Sequence, residues 1–193
     1  MDALTLLEKD HDTVRELFSQ FKTAKERPDT NRMRSLQQRI FHELEIHTAI
    51  EEEVFYPAAE QVGQEAEELV NEGVEEHHVV DVLMSEIRGL EAEDDAWVAK
   101  MSVLIENVEH HAEEEETELF PKLREVFGKD RLAELGRQLE QAKQRRQQAS
   151  ADPSRYAAMS RDELYERAKQ RDIPGRSGMT KDDLAKALED ADA

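Results

Sequence analysis

Two stretches of this chain carry histidine and glutamate in the same order. His47-Thr48-Ala49-Ile50-Glu51-Glu52 and His111-Ala112-Glu113-Glu114-Glu115-Glu116 both read His-x-x-x-Glu-Glu. Each runs four further residues and then meets a proline, Pro57 or Pro121, and the two copies lie 64 positions apart. On a helix, residues four apart share a face, so His47 with Glu51, and His111 with Glu115, aim at one point. A neutral imidazole beside a carboxylate is a metal-ligand pair. Two such pairs on facing helices build a two-metal core.

Two further histidines join them. Apolar residues follow His11 at +3, +6, +7 and +10 (Val14, Leu17, Phe18, Phe21) and follow His77 at the same offsets (Val80, Leu83, Met84, Ile87). Counting from His78 instead places Asp81 at +3 and breaks the match. His110 with Glu114 competes with His111 and Glu115, but the distance to Pro121 and the apolar rows favour His111. The candidate ligands are therefore His11, His47, Glu51, His77, His111 and Glu115. Each metal takes two histidines, and the glutamates bridge. Two divalent cations bring +4 against −2 from the glutamates. Imidazole and carboxylate donors suit iron and manganese and do not by themselves exclude zinc. A single buried histidine is usually a structural residue tied to a neighbouring carboxylate. Four at repeated, face-matched positions point to a site. Most of the glutamates in the two runs read as solvated face, with one from each run turned inward. Asp81 reads either as a partner of a ligand or as an extra ligand, and Tyr56 and Trp97 read as packing.

The elements that must position these residues are long helices. Apolar steps of three and four predict helices over 3–26, 31–62, 65–91 and 95–126. In the second, Leu36, Ile40, Leu44, His47, Glu51 and Val54 form one inner face, so polar residues occupy core positions without breaking the period. Pro57 is expected to kink or shorten that helix. The first helix resembles the third and the second resembles the fourth. This predicts an all-α, up-down-up-down four-helix bundle with an internal repeat of about 65 residues. A fifth, more polar helix is expected over 129–149, docking through Leu132, Leu135 and Leu139. The expected domains are 1–149, a linker at 150–155 marked by small residues and Pro153, and a small unit at 156–193.

Composition sets outer bounds. Charged residues make up 37% and apolar residues 38%, the mix of long helices with wet outer faces. A formal charge of −20 argues against general binding of nucleic-acid phosphates by the main domain and is compatible with cations. The absence of cysteine excludes disulfides, thiolate sites and cysteine-ligated clusters. No run of eighteen apolar residues exists, and Met1-Asp2-Ala3-Leu4-Thr5 leads straight into an amphipathic pattern rather than a signal-like segment. A cytoplasmic location with no membrane span is the expectation.

Residues 1–127 resemble the hemerythrin HHE cation-binding family. The resemblance rests on Leu7-x-x-Asp10-His11, on Glu76-His77 and on the two His-x-x-x-Glu-Glu…Pro segments. It implies a four-helix bundle holding two non-haem iron ions with an oxo or hydroxo bridge. It also implies chemistry with dioxygen, peroxide or nitric oxide. The chain departs from the oxygen-carrying members, which have a second histidine four after that of the third helix; here that position is Asp81. Those members also place an aspartate five after the last histidine, whereas Glu115 lies four after His111. Fewer histidines open more coordination positions, which favours sensing or turnover over simple oxygen carriage.

The C-terminal unit resembles the helix–loop–helix modules called SAP-like and the N-terminal module of transcription terminator Rho. The matching residues are Met159-Ser160-x-x-Glu163-Leu164-x-x-x-Ala168 and Ile173-Pro174-Gly175-Arg176-Ser177-x-Met179-Thr180-Lys181. Such modules often contact nucleic acid. That makes an iron- or redox-responsive adaptor, acting through this unit on nucleic acid or a protein partner, the alternative function. From residue 152 onward, eight Lys and Arg face ten Asp and Glu, so the electrostatic footprint is weak.

Overall fold

The computed structural model describes residues 1–26, 29–92, 94–151, 156, 159–171 and 173–192. Among these it is helical throughout, without strands. The bundle is built from α1 (Ala3–Glu26), α2 (Thr30–Ile50), α3 (Tyr56–Ala59), α4 (Gln64–Arg88), α5 (Asp95–Glu114) and α6 (Phe120–Val126). α2 and α3 form one continuous arm, as do α5 and α6, so the bundle has four arms. Residues 27 and 28, just before α2, lie outside the described residues. Asp29, within them, is the N-cap of α2: its side chain accepts a hydrogen bond from the Arg32 amide at 3.0 Å and anchors the start of the helix.

The apolar residues separate into two clusters along the bundle. One joins the start of α1 (Leu4, Leu6, Leu7) to the end of α2 (Ile46, Ile50), the start of α4 (Ala66, Val70) and the second halves of the long arms (Phe55, Tyr56, Leu119, Phe120, Leu123). The other joins the end of α1 (Val14, Phe18, Phe21) to the start of α2 (Met33, Leu36, Ile40), the end of α4 (Val80, Met84, Ile87) and the start of α5 (Trp97, Met101, Leu104). Starts meet ends in both clusters, so neighbouring arms are antiparallel and the order is up-down-up-down. Between the two clusters lies a polar layer of His11, His47, Glu51, His77, His111 and Glu115, all buried. Each buried Leu or Phe contributes about 1.5–3 kcal/mol, so the apolar clusters on both sides stabilise a layer that does not stabilise itself.

The expected kink at Pro57 takes a specific form. A π-helical turn spans Glu51–Phe55, and a second spans Glu115–Leu119. The Tyr56 amide bonds to the Glu51 carbonyl, and the Phe120 amide bonds to the Glu115 carbonyl, each spanning five residues. Proline has no N–H and its ring crowds the carbonyl four residues back. One wider turn just before it removes that conflict and lets the helix continue. The wider turn also shifts the inner face. Phe55 and Tyr56 are buried, whereas Val54, expected on that face, is only half-buried.

α7 (Lys129–Ala151) packs Leu132, Leu135, Leu139 and Ala142 into the first cluster. It approaches the N-terminus closely. A side chain at Gly136 would come within 2.4 Å of the Met1 carbonyl oxygen. Lys143 reaches Asp10 at 2.6 Å.

The chain divides into two compact units, Met1–Lys143 and Gln144–Ala193. The division falls within α7, whose helix continues beyond its docking residues; the linker expected at 150–155 begins on the last residues of that helix, and 152–155 lie outside the described residues. In the second unit, α8 (Arg161–Gln170) and α9 (Lys181–Asp192) close over Tyr156, Leu164, Ala168, Ile173, Leu184 and Leu188. Ser160 and Glu163 form a capping box, and Thr180 and Asp183 bond each other's backbone amides at the start of α9. The loop between them turns at Gly175, whose φ of 76° is left-handed.

Candidate metal centre

All six expected residues meet in the polar layer. His11, His47, Glu51 and Glu115 bring one donor atom each within 4.8 Å of one another, and so do Glu51, His77 and His111. Glu51 belongs to both groups. Its Oε1 lies 3.2 Å from His47 Nε2, and its Oε2 lies 3.4 Å from His77 Nε2. Glu115 leans to one side, 3.4 Å from His11 Nε2 and 3.9 Å from His111 Nε2. The rejected alternatives lie outside the layer. His78 and Asp81 are exposed, and the His110 side chain is 62% exposed. Asp81 is not among the donor groups that come together among the described residues.

The histidines present Nε2 to the centre. His11 and His47 face each other through Nε2 at 3.1 Å, and His77 and His111 do so at 3.2 Å. Their Nδ1 atoms turn outward to carboxylates. His11 Nδ1 meets Glu116 at 2.8 Å, His77 Nδ1 meets Glu52 at 2.9 Å and His111 Nδ1 meets Glu76 at 2.7 Å. Asp10 stands 4.0 Å from His47 Nδ1. A carboxylate on Nδ1 fixes the proton there and leaves a lone pair on Nε2, the arrangement found around histidines that bind metal. The pattern also repeats. The residue before the histidine on the first helix of each hairpin (Asp10, Glu76) serves the next helix, and the residue after each inward glutamate (Glu52, Glu116) serves the partner hairpin. In the sequence alone these second glutamates read as solvated face. The signal was their adjacency to ligands, but only packing shows which ring each one reaches.

The electrostatics show strain that a cation relieves. Neither oxygen of Glu51 or Glu115 accepts a hydrogen bond. An unpaired carboxylate in a dry interior costs several kcal/mol, against a total stability on the order of 5–15 kcal/mol for a domain. Without metal, protons take up the conflict. Burial, reinforced by the nearby Glu115, pushes the Glu51 carboxyl well above its ordinary range. Burial opposes charge on His11, but Glu115 and Glu116 outweigh it and raise His11 to about 10. Burial holds His47 down at about 4. Burial also opposes charge on Glu115, which is nonetheless lowered by the facing His11 and His111. Two imidazole lone pairs facing each other at 3.1 Å need a positive charge between them, and a proton on His11 supplies it. Bound metal supplies the same charge to both histidine pairs and both carboxylates together. The residues therefore fit a pair of cations held by nitrogen and oxygen donors.

Tyr56, expected to serve only packing, borders the layer. Its ring stacks on His77 with centroids 5.5 Å apart, and its hydroxyl lies 3.4 Å from His77 Nε2. Burial raises its phenol above the ordinary value. Trp97 packs in the second apolar cluster against Phe21, as expected.

A four-helix bundle with a buried histidine–carboxylate layer across its axis is a metal-binding bundle protein. The chain belongs to the hemerythrin HHE cation binding domain family, whose model matches residues 2–123. An uncharacterized hemerythrin-like protein of Schizosaccharomyces pombe is 26% identical over 136 residues, covering 70% of this chain and 66% of that relative. This chain thus spans just under two thirds of the relative's length. No solved structure matches the chain. No helix among the described residues is long and apolar enough to cross a membrane.

Proposed function

We propose that this is a non-haem di-iron protein that binds, senses or turns over dioxygen, peroxide or nitric oxide. His11, His47, Glu51 and Glu115 hold one iron; His77, His111 and the shared Glu51 hold the other. The observation that carries the reading is the pair of buried carboxylates without hydrogen bonds, flanked by four histidines that all present Nε2. Bound there, the iron pair supplies the redox chemistry that these small ligands require.

The chain's own residues supply the rest. Glu52, Glu76 and Glu116 hold the rings in place and make Nε2 a stronger donor. The apolar clusters on either side exclude water. A narrow apolar recess, with about 10 Å³ of free volume, reaches His11, His47 and His111 between Val14, Phe18, Leu44 and Val108, with Arg15 and Glu109 at its edge. A recess this small and apolar has room only for a molecule about the size of water.

The test is iron content together with the visible spectrum before and after a small dose of peroxide. Two irons per chain with a charge-transfer band support the reading. A band that bleaches and recovers with gas evolution indicates turnover, and a stable shift indicates binding or sensing. Folded protein that takes up no metal refutes it.

A further inference from the structure

The two halves of the site differ at one pair of positions. Tyr56 follows Glu51 by five residues, and Phe120 follows Glu115 by five. Each ring lies against a histidine, Tyr56 on His77 and Phe120 on His11, with centroids 5.5 Å and 6.1 Å apart. Only Tyr56 carries a hydroxyl. The residue four before the histidine differs in the opposite sense, being Gly73 before His77 and Leu7 before His11. A Cβ on Gly73 would come within 2.8 Å of the Tyr56 hydroxyl and 3.4 Å of His111 Cε1. The half with the added oxygen has thus lost a side chain, and the half without it keeps a buried leucine.

The distances give that oxygen a role. His77 Nε2 lies 3.2 Å from His111 Nε2, 3.4 Å from Glu51 Oε2 and 3.4 Å from the Tyr56 hydroxyl. The hydroxyl therefore stands among the donor atoms at donor-to-donor spacing. Glu51, His77 and His111 give this half three donors, one fewer than the other half.

We propose that the Tyr56 hydroxyl oxygen is a further donor to the metal held by Glu51, His77 and His111, so that the two metal positions are chemically unequal. On coordination the O–H bond breaks, its proton passes to solvent, and the electron pair left on oxygen makes the bond to the metal; nothing is oxidised or reduced. Phe120 leaves the other metal without a phenol donor, so with Tyr56 each position has four donors of different chemistry. The inference rests on the di-iron reading.

The experiment uses the full chain loaded with ferric iron and reads iron content beside the visible and resonance Raman spectra. A phenolate-to-iron band with tyrosine ring modes is expected in the unsubstituted protein. Tyr56→Phe copies the arrangement at Phe120, so it is expected to keep two irons per chain and lose the band entirely. Gly73→Ala crowds the hydroxyl and is expected to weaken or shift the band at full iron content, an independent reading should Tyr56→Phe load poorly. Two irons per chain with no phenolate band, or a band that survives Tyr56→Phe, overturns this proposal and leaves the di-iron reading intact. A chain that takes up no iron overturns both.

Discussion

Glu116 accepts a hydrogen bond from His11 Nδ1 at 2.8 Å across 105 residues of sequence. Arg15 holds the same carboxylate oxygen at 2.8 Å, so a surface cation, a half-buried carboxylate and a buried imidazole form one chain into the site. The carboxyl of Glu116 is pulled down to about 2, chiefly by His11 and with help from Arg15. Glu116→Ala removes the group that fixes the His11 ring while leaving the donor set complete. Metal affinity is expected to fall by about 10- to 100-fold, the usual cost of losing such a partner. Competition against a chelator of known affinity measures it, and unchanged affinity would mean that packing alone orients His11.

Glu51→Gln separates function from stability. Burial raises the Glu51 carboxyl well above its ordinary range and so favours its neutral form in the metal-free protein; an isosteric neutral amide is therefore expected to change metal-free stability by no more than about 1 kcal/mol. The same substitution removes the anion shared by both metal positions, so metal content is expected to fall below two per chain. Melting curves with and without metal check both halves, and a large loss of stability in the metal-free variant would contradict the assignment of charge.

Metal uptake is expected to release protons and to strengthen with pH. His11, raised to about 10, is charged at neutral pH in the metal-free protein and must lose that proton to bind. While it remains the dominant proton, affinity rises up to about tenfold per pH unit between about pH 6.5 and 10. The stability linkage has the opposite sign. The raised His11 stabilises the metal-free fold fully below about pH 6.5 and loses that contribution as pH rises through 10. His47, lowered to about 4, favours the fold above about pH 6.5 and ceases to do so as pH falls towards 4. Titration in weak buffer with an indicator dye reads the released protons, and uptake without acidification would contradict the charge state given to His11.

Gly136→Ala tests the fifth helix. Its Cβ would lie 2.4 Å from the Met1 carbonyl oxygen and 2.8 Å from the Asp2 carbonyl carbon, and backbone yields less readily than a side-chain tip. Destabilisation of about 1–3 kcal/mol is expected from the overpacking. The candidate ligands come from the four bundle arms, so metal content is expected to stay unchanged. A variant with wild-type melting would show that α7 adjusts its approach freely.

The helices, their antiparallel order and the six candidate ligands are legible in the one-dimensional pattern alone. Those features rest on periods of three, four and about 65 residues, which are properties of local helix geometry and of the repeat. His47 and Glu51 share a helix face wherever that helix packs. Tertiary structure decided what depends on long-range approach. Which carboxylate reaches which Nδ1 depends on how the arms pack, and an exposed and a half-buried glutamate in Glu113-Glu114-Glu115-Glu116 look alike in one dimension. The role of Tyr56 depends on the wide turn ahead of Pro57, which adds a residue to the inner face, and on the gap that Gly73 leaves on another helix. The charge states were the least legible, since the conflict between Glu51 and Glu115 and its resolution by His11 exist only once burial removes water from all three.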